Sequence, residues 1–356
     1  MIDQYGWSDL LGQTFAPHAA QGHAPGRITV QHRSSYVVAT DSGELQAQLS
    51  GRLMHDAGEA GFPAVGDWVA LAPRPDEGAA TIHAVLPRRT AFVRKAADSV
   101  QTVQVVAANV DLAWLVLSMN ADFNVRRLER YLAVAAQSGA QPVVVLTKAD
   151  LCADPAQMAA QAEAVALGAP VFVVSAKTGQ GMAALAALLR PGETSVLVGS
   201  SGAGKSTLVN ALAGEALMDT GAIREDDARG RHTTTHRELF LLPGGALLLD
   251  TPGMRELGLV EAEEGLEAAF EDVDALALGC KFTDCTHGAE PGCAVRAAME
   301  AGTLDEGRWR SFQKLQRELG HQERKDDHLA REAERKRWIA IGKAQRAAKK
   351  LTGKWR

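Results

Sequence analysis

Short runs of alternating apolar and polar residues recur between residues 26 and 98, separated by turn-forming residues. This period of two is typical of β-strands that bury one face. The predicted strands are Arg27–Val30, Ser35–Thr40, Leu45–Leu49, Asp67–Leu71 and Thr81–Val85. Five such strands favour an OB-like β-barrel, although strand number alone does not separate an OB-fold from an SH3-like barrel.

Residues 99–260 follow a different pattern, in which continuous apolar runs alternate with segments of helical period. Buried strands that alternate with helices are typical of a parallel α/β sheet. The predicted strands are Leu112–Leu117, Pro142–Thr147, Val171–Ser175, Ser195–Val198, Glu238–Leu242 and Ala246–Leu249. The predicted helices are Val125–Gln137, Pro155–Ala166, Met182–Leu189 and Lys205–Leu212.

The two ends of the chain have weaker patterns. Residues 1–25 show little periodicity, so we expect a mobile extension there. Residues 261–325 have the pattern of helices interrupted by a Cys/His-rich loop, and residues 326–356 are rich in Lys and Arg. The sequence therefore predicts a multidomain chain: an extension, a barrel, an α/β domain, a helical domain and a basic tail.

A phosphate-binding pattern lies where a predicted strand gives way to a helix. The G-x-x-x-x-G-K-[ST] pattern is formed by Gly199, Ser200, Ser201, Gly202, Ala203, Gly204, Lys205 and Ser206, with Thr207 directly after it. Glycines let backbone N–H groups surround phosphate oxygens, and the N-terminus of the following helix adds partial positive charge. We expect Lys205 to bind the β- and γ-phosphates and the Ser206 hydroxyl to bind Mg²⁺.

Two further motifs, each at the end of a predicted strand, indicate that the nucleotide is a guanine nucleotide. The residues are Thr147, Lys148 and Asp150, which fit [NT]-K-x-D, and Ser175, Ala176 and Lys177, which fit S-A-K. An Asp carboxylate accepts hydrogen bonds from the N1–H and the 2-amino group of guanine, whereas adenine has neither donor at these positions. Asp150 is therefore expected to select GTP, while the aliphatic stem of Lys148 lies along the base.

The order of these motifs along the chain is unusual. Asp250-Thr251-Pro252-Gly253 fits the D-x-x-G element, in which Asp250 holds Mg²⁺ and Gly253 meets the γ-phosphate. Both guanine motifs precede the phosphate loop instead of following Gly253, so the domain is predicted to be circularly permuted. The same pocket still forms, because ligand sites lie at the carboxyl ends of parallel strands whatever the order of connection.

Three cysteines and one histidine are concentrated within 14 residues. The C-x4-C-x-H-x5-C pattern is formed by Cys280, Cys285, His287 and Cys293. Three thiolates and an imidazole are the ligand set of a closed tetrahedral zinc site, so we predict one structural zinc ion. Cys152 lies far from this cluster and is interpreted as a small apolar filler.

The barrel, the permuted phosphate-loop domain and the Cys/His loop together resemble the circularly permuted, ribosome-associated GTPases of bacteria, over about residues 26–320. The resemblance implies a GTP hydrolase that acts late in the assembly of the small (30S) ribosomal subunit and binds its rRNA. It also implies a low intrinsic activity that the subunit stimulates. Thr147 stands where Asn is commoner, so we expect altered nucleotide affinity because an amide that braces the loop is missing.

The residues that would activate water are less well defined. Residues 230–236 have the character of switch I, and Thr234 is expected to bind Mg²⁺ and sense the γ-phosphate. Met254 follows the D-x-x-G element where Ras-like enzymes carry a glutamine, and a methionine cannot hold the attacking water. Intrinsic hydrolysis should be slow, and either His232 or His236 is a candidate to replace that group, unless both are solvated loop residues.

Charge is distributed unevenly along the chain. The net charge is −5, but residues 331–356 hold ten Lys/Arg and two Glu, which leaves −13 for the remainder. A basic tail of this kind fits RNA phosphates, and a solvated helix fits the pattern equally well. The same two alternatives, phosphate contact or solvated linker, apply to Arg88, Arg89, Arg94 and Lys95.

Several protein classes are disfavoured by composition. No apolar run approaches the roughly 20 residues of a membrane span, and the N-terminus lacks the pattern of a signal peptide. We expect a cytoplasmic monomer whose partners are GTP, GDP and the small ribosomal subunit, with no membrane contact. Two alternatives are an RNA-binding module in which nucleotide only sets affinity, and a phosphate-loop kinase, for which the sequence shows no acceptor site.

Overall fold

The N-terminal part of the chain is a closed five-stranded barrel. The computed structural model describes residues 2–32, 35–56, 61–95, 103–218, 237–250, 270–283, 285–288 and 290–317. The barrel strands are β1 (Ala24–Gln31), β2 (Tyr36–Thr40), β3 (Gly43–Leu49), β4 (Trp68–Arg74) and β5 (Ala79–Val85). They pair in the order β1-β2-β3-β5-β4, and β4 returns to pair with β1. This closed arrangement, with β3 parallel to β5, agrees with the predicted OB-like barrel.

The segment before the barrel differs from its predicted character as a mobile extension. It contains a 3₁₀ helix, Ile2–Tyr5, and an α-helix, α1, at Asp9–Ala19. The side chain of Phe15 is buried, and the Trp7 ring lies edge-on against Trp68 of the barrel at 4.9 Å. The sequence predicted a mobile extension here, whereas the described residues are helical and bury the side chains of Ile2, Tyr5 and Phe15. Three buried side chains are too few to produce a helical period in the sequence.

The central domain is a six-stranded sheet with helices on both faces. Its strands are β8 (Leu112–Ser118), β9 (Gln141–Thr147), β10 (Val171–Val173), β11 (Thr194–Val198), β12 (Arg237–Leu241) and β13 (Leu247–Asp250). The spatial order is β10-β9-β8-β11-β13-β12, in which only β12 is antiparallel to its neighbour. The helices are α3 (Val125–Ser138), α4 (Pro155–Glu163), α5 (Met182–Ala186) and α6 (Lys205–Ala213). All six predicted strands and four predicted helices are present, with ends shifted by a few residues.

Further elements outside the N-terminal segment also have no counterpart in the sequence prediction. They include the helix α2 (Gly51–Asp56) and the two strands β6 (Ala91–Lys95) and β7 (Val103–Ala108). The strands β6 and β7 pair with each other in an antiparallel two-stranded sheet. The boundary that the sequence indicates between residues 98 and 99 therefore falls between two paired strands.

The barrel is joined to the central sheet by a strand pair and by a buried arginine. Strand β1 continues past the barrel and pairs with the edge strand β12, with Val30 opposite Glu238. The Arg27 side chain is 2% exposed, and it donates from Nη2 to Thr194 Oγ1 at 2.8 Å and from Nε to the Gly66 carbonyl at 3.2 Å. Burial lowers the pKa of Arg27 to about 10. The joint therefore contains a desolvated guanidinium whose hydrogen-bond acceptors are uncharged carbonyl and hydroxyl oxygens.

The C-terminal region is helical around the Cys/His loop. Its described helices are α7 (Glu271–Ala277), α8 (Ala294–Glu300) and α9 (residues 306–317). Phe270, Trp309 and Phe312 form an aromatic core between them. Among the residues that the structure describes, no helix has both the length and the apolar character that crossing a bilayer requires.

Candidate functional site

The phosphate loop connects the buried strand β11 to helix α6. Gly202 and Gly204 have φ angles of 75° and 92°, which non-glycine residues rarely adopt, and Gly204 caps the helix. Gly199 has no room for a side chain, because a Cβ there would collide with the Val116 carbonyl of the neighbouring strand. The Lys205 ammonium donates to the carbonyls of Gly199 and Ser200, both at 2.7 Å. The loop is thus closed around its own lysine, with helix α6 directly behind it.

The two guanine motifs meet at the ends of neighbouring parallel strands. Ser175 is fully buried, and its hydroxyl donates to Asp150 Oδ1 at 2.6 Å. The same hydroxyl accepts a hydrogen bond from the Thr178 N–H at 3.2 Å, which closes the turn that carries Ala176 and Lys177. Asp150 is exposed, and the hydrogen bond from Ser175 engages only one of its two carboxylate oxygens. This geometry orients a hydrogen-bond acceptor at the same sheet edge as the phosphate loop.

Thr147 connects the guanine motif to the phosphate loop. Its hydroxyl lies 2.5 Å from the Ala203 carbonyl and 3.2 Å from the Leu117 carbonyl. Thr147 is buried, with 5% of its surface exposed. The stem of Lys148, whose backbone is left-handed at φ 60°, approaches Gly204. The Thr147 hydroxyl reaches a phosphate-loop carbonyl directly, a contact that the sequence did not predict, and the altered nucleotide affinity stays a prediction.

Strand register brings the predicted elements to one edge of the sheet. Ser118 is opposite Thr147, Val173 is opposite Leu146, and Val198 lies beside Leu115. Asp250 is the last residue of β13, so it ends at the same edge. The remaining predicted residues of the hydrolytic site, Thr234, His232, His236 and Gly253, lie outside the described residues.

An ion pair that the sequence did not reveal contacts the phosphate loop. Asp122, which lies just before α3, and Arg127, in its first turn, form a two-pronged pair at 2.7 and 3.1 Å. Both reach Ser200: its Oγ lies 3.1 Å from Asp122 Oδ2 and 3.3 Å from Arg127 Nη1. The hydrogen bonds from Arg127, and then from Ser200, lower the pKa of Asp122. No sequence motif marks this contact, because Ser200 lies 78 residues beyond Asp122.

The four predicted zinc ligands converge on one point. Their ligand atoms all lie within 4.8 Å of one another, with His287 Nδ1 3.4 Å from Cys280 Sγ and 3.5 Å from Cys293 Sγ. In a tetrahedral zinc site, bond lengths of about 2.3 Å to sulfur and 2.0 Å to nitrogen place ligand atoms roughly 3.5–3.8 Å apart. The cluster therefore fits a metal ion of that kind. Cys152 lies outside it, with its Sγ 3.6 Å from Met158 Sδ.

The sulfur atoms also receive backbone hydrogen bonds. At the start of α8 the Ala294 N–H donates to Cys280 Sγ and the Arg296 N–H donates to Cys293 Sγ, both at 3.4 Å. The His287 ring packs edge-on against Trp309 at 5.4 Å. Such outer contacts fix ligand orientation and offset thiolate charge, which makes the site suitable for a structural ion.

The barrel arginines have structural partners. Arg88 forms a two-pronged pair with the buried Asp67, and Arg89 binds Asp111 at 2.8 Å. Arg94 donates to Gln104 on the paired strand β7. Each of these arginines thus has a partner within the protein, and contact with RNA phosphates stays a prediction. The basic tail lies outside the described residues.

The fold and the site together define a phosphate-loop GTPase with circularly permuted motifs. The sequence model of the RsgA GTPase family matches residues 85–260. The small ribosomal subunit biogenesis GTPase RsgA of Opitutus terrae is 49% identical over 99% of this chain and 99% of its own length. The protein of the same name from Streptomyces coelicolor is 46% identical over 98% of this chain and 96% of its own length. The chain belongs to the RsgA GTPase family and is a GTP hydrolase.

Solved structures agree with this assignment. The crystal structure of YjeQ from Thermotoga maritima aligns with a TM-score of 0.63 and 27% identity, over 84% of this chain and 99% of that one. The structure of YloQ, described as a circularly permuted GTPase, aligns with a TM-score of 0.59 and 25% identity, over 84% and 96%. A model of ABC transporters also matches residues 184–348, which include the phosphate loop but neither guanine motif. The guanine motifs therefore favour the GTPase family.

Proposed function

We propose that this GTPase acts as a late assembly factor of the small ribosomal subunit, with low intrinsic hydrolysis that the subunit stimulates. The observation that carries the proposal is the joining of three modules in one chain: a barrel, a permuted GTPase sheet and a metal-binding cluster. Relatives that cover almost the whole chain are named for biogenesis of the small ribosomal subunit. We further propose that the chain works as a monomer in the cytoplasm, without membrane contact, and binds rRNA.

The nucleotide site assigns a task to each group. Asp150, oriented by Ser175, reads the guanine edge, while Lys148 supports the base and Thr147 holds the phosphate loop. Lys205 would exchange its two carbonyl partners for phosphate oxygens once GTP enters. A charged group of this kind stabilises the negative charge that develops on the transferred phosphoryl group.

Two metal ions complete the proposal. Ser206 and Thr234 would hold Mg²⁺ against the nucleotide, with Asp250 acting through water and Gly253 contacting the γ-phosphate. Cys280, Cys285, His287 and Cys293 would hold one structural zinc ion. Because methionine at position 254 cannot orient water, we infer that water is positioned only when the subunit orders the loop containing His232 and His236.

The test is a GTPase assay with and without purified 30S subunits. The expected result is a turnover that rises by at least about tenfold with subunits and is lost in Lys205→Ala, since removing an electrostatic stabiliser typically costs 10²–10³-fold. Adding ATP in place of GTP serves as the matched control for the guanine motif. Salt-sensitive RNA binding without any stimulation would instead identify an RNA-binding module in which turnover is incidental.

A further inference from the structure

The first turn of α3 contacts the phosphate loop on one side. On its other side it contacts the helical region around the Cys/His cluster, residues 270–317, which we call the metal-binding region. Arg127 contacts Ser200 of the phosphate loop at 3.3 Å and is held by Asp122. Its neighbour Arg126 donates from Nη1 to Glu129 at 2.8 Å and from Nη2 to Asp305 at 2.5 Å. Two consecutive residues of one helix thus bind elements that are far apart in the sequence.

The metal-binding side of this contact is an ionic network in which Glu129 and Arg308 are buried. Arg308, on α9, is 6% exposed and donates to Glu129 Oε1 at 3.1 Å and to both oxygens of Asp272 at 2.6 and 2.8 Å. Glu129 is 1% exposed, and its Oε1 accepts hydrogen bonds from both Arg126 and Arg308. Separating a buried carboxylate from its cations is costly, so these ion pairs hold the start of α3 against helix α9.

Helix α9 also contacts the metal ligands. Trp309 follows Arg308 directly, and its ring packs against the ligand His287 at 5.4 Å. At Gly307 the helix has no side chain, which leaves space for the Arg126 guanidinium. A continuous series of contacts therefore runs from His287 through Trp309, Arg308 and Glu129 to the first turn of α3.

We propose that Arg127, held by Asp122, is a positioning residue for the phosphate loop, and that its position is set by the metal-binding region through Glu129 and Arg308. The regulatory part of this inference rests on the proposed function. It adds a route by which a partner bound at the metal-binding region changes GTP hydrolysis. The route uses only contacts among described residues. Coupling of this kind is reciprocal, so GTP must also alter the metal-binding region.

Hydrogen exchange tests the coupling without any ribosome. Peptides covering residues 294–317 are measured with and without a non-hydrolysable GTP analogue at saturating concentration. We expect the analogue to change their exchange rates severalfold in the unmodified chain, and to change them much less in Ser200→Ala, Arg127→Met and Arg308→Met. The control is Arg310→Met, which removes an exposed pair with Glu306 from the same helix and should respond normally. Ser200→Ala deletes one hydroxyl and keeps the test valid if Arg308→Met fails to fold.

Kinetics test the positioning role. Because a small misplacement of reacting groups lowers turnover more than binding, Arg127→Met should reduce kcat by about tenfold and change KM by less than about threefold. Arg127→Lys, which keeps the charge but not the fork, should recover part of the loss. The positioning role would be overturned if Arg127→Met and Arg127→Lys both raised KM equally and left kcat unchanged. An analogue response that is absent in the unmodified chain, or unchanged in the variants, would overturn the coupling.

The two proposals fail in different ways. If 30S subunits do not stimulate the unmodified chain but the exchange response behaves as expected, the ribosomal function fails and the coupling stands. If subunits stimulate the unmodified chain and Arg308→Met equally, by the same factor, the function stands and the proposed route is wrong.

Discussion

The Ser175 hydroxyl donates a 2.6 Å hydrogen bond to Asp150 and joins the two guanine motifs across neighbouring strands. It engages one carboxylate oxygen of the exposed Asp150 and so orients the carboxylate before nucleotide arrives. Orientation in advance reduces the ordering cost of binding, so both residues contribute to affinity although only Asp150 would touch guanine.

Exchanging the acceptor should therefore change the base that is bound. In Asp150→Asn, the amide offers donors where guanine also presents donors, so GTP affinity should fall by about 100-fold or more, as expected when a charged hydrogen-bond partner is lost. Xanthosine triphosphate carries an oxygen in place of the 2-amino group and should bind Asp150→Asn better than GTP. Titration of each variant with both nucleotides gives the dissociation constants to compare. Ser175→Ala should lose about five- to tenfold for GTP without changing preference, and an unchanged GTP affinity in Asp150→Asn would contradict the assignment.

The hydroxyl of Thr147 makes a second testable contribution. Thr147→Val keeps the shape of the side chain and leaves the Ala203 carbonyl without this donor, so GTP affinity should fall about tenfold, the value of roughly one hydrogen bond. Thr147→Asn restores a donor and should bind within about threefold of the unmodified chain. Isothermal titration provides the measurement, with the exposed Thr14→Val as the matched control. Equal affinities in Thr147→Val and the unmodified chain would show that the brace is dispensable.

The Cys/His cluster predicts one zinc ion per chain. Cys285→Ser and Cys293→Ser should release the metal, and the helices that it orders should lose hydrogen-exchange protection, because His287 supports Trp309 only when its ring is held. Cys152→Ser should retain one equivalent, since Cys152 lies away from the cluster. Elemental analysis of the purified chains decides the matter, and metal retention in Cys293→Ser would exclude the proposed ligand set.

Arg27 is predicted to stabilise the joint between the barrel and the GTPase sheet. Arg27→Met removes all the hydrogen bonds that the guanidinium donates to buried acceptors, among them Thr194. The free energy of unfolding should therefore fall by about 3 kcal/mol. Arg52→Met alters an arginine whose side chain is 92% exposed and should change stability by less than about 0.5 kcal/mol. Denaturant titration of the two variants compares these values, and similar effects would argue against a structural role for Arg27.

The Asp122–Arg127 pair predicts a pH effect of definite sign. Because the pKa of Asp122 is lowered in the folded chain, first by the hydrogen bond from Arg127, the pair stabilises the fold at neutral pH. That stabilisation should be lost only as pH falls below the ordinary Asp pKa of about 3.9 and through the lowered value. Carboxyl NMR titration should show the Asp122 pKa rising towards its ordinary value in Arg127→Met, and an unchanged pKa would assign the shift to another group.

Local features determined much of what could be predicted from the sequence. The phosphate loop, the guanine motifs and the Cys/His spacing are each contained in a few consecutive residues, and their chemistry depends on residue type at fixed spacing. The period of apolar residues located the barrel strands and the GTPase strands for the same reason. Even the permuted order was visible, since it is a property of the sequence itself.

The contacts between modules were decided only in three dimensions. Arg308 and Glu129 are separated by 179 residues, and Arg27 and Thr194 by 167, so no local pattern records either pair. The contact of Thr147 was not predicted for the same reason, because the carbonyl that it reaches belongs to a loop 56 residues further along the chain. A side chain's type sets which bonds it is able to form, whereas the packing of distant elements sets which partner it meets.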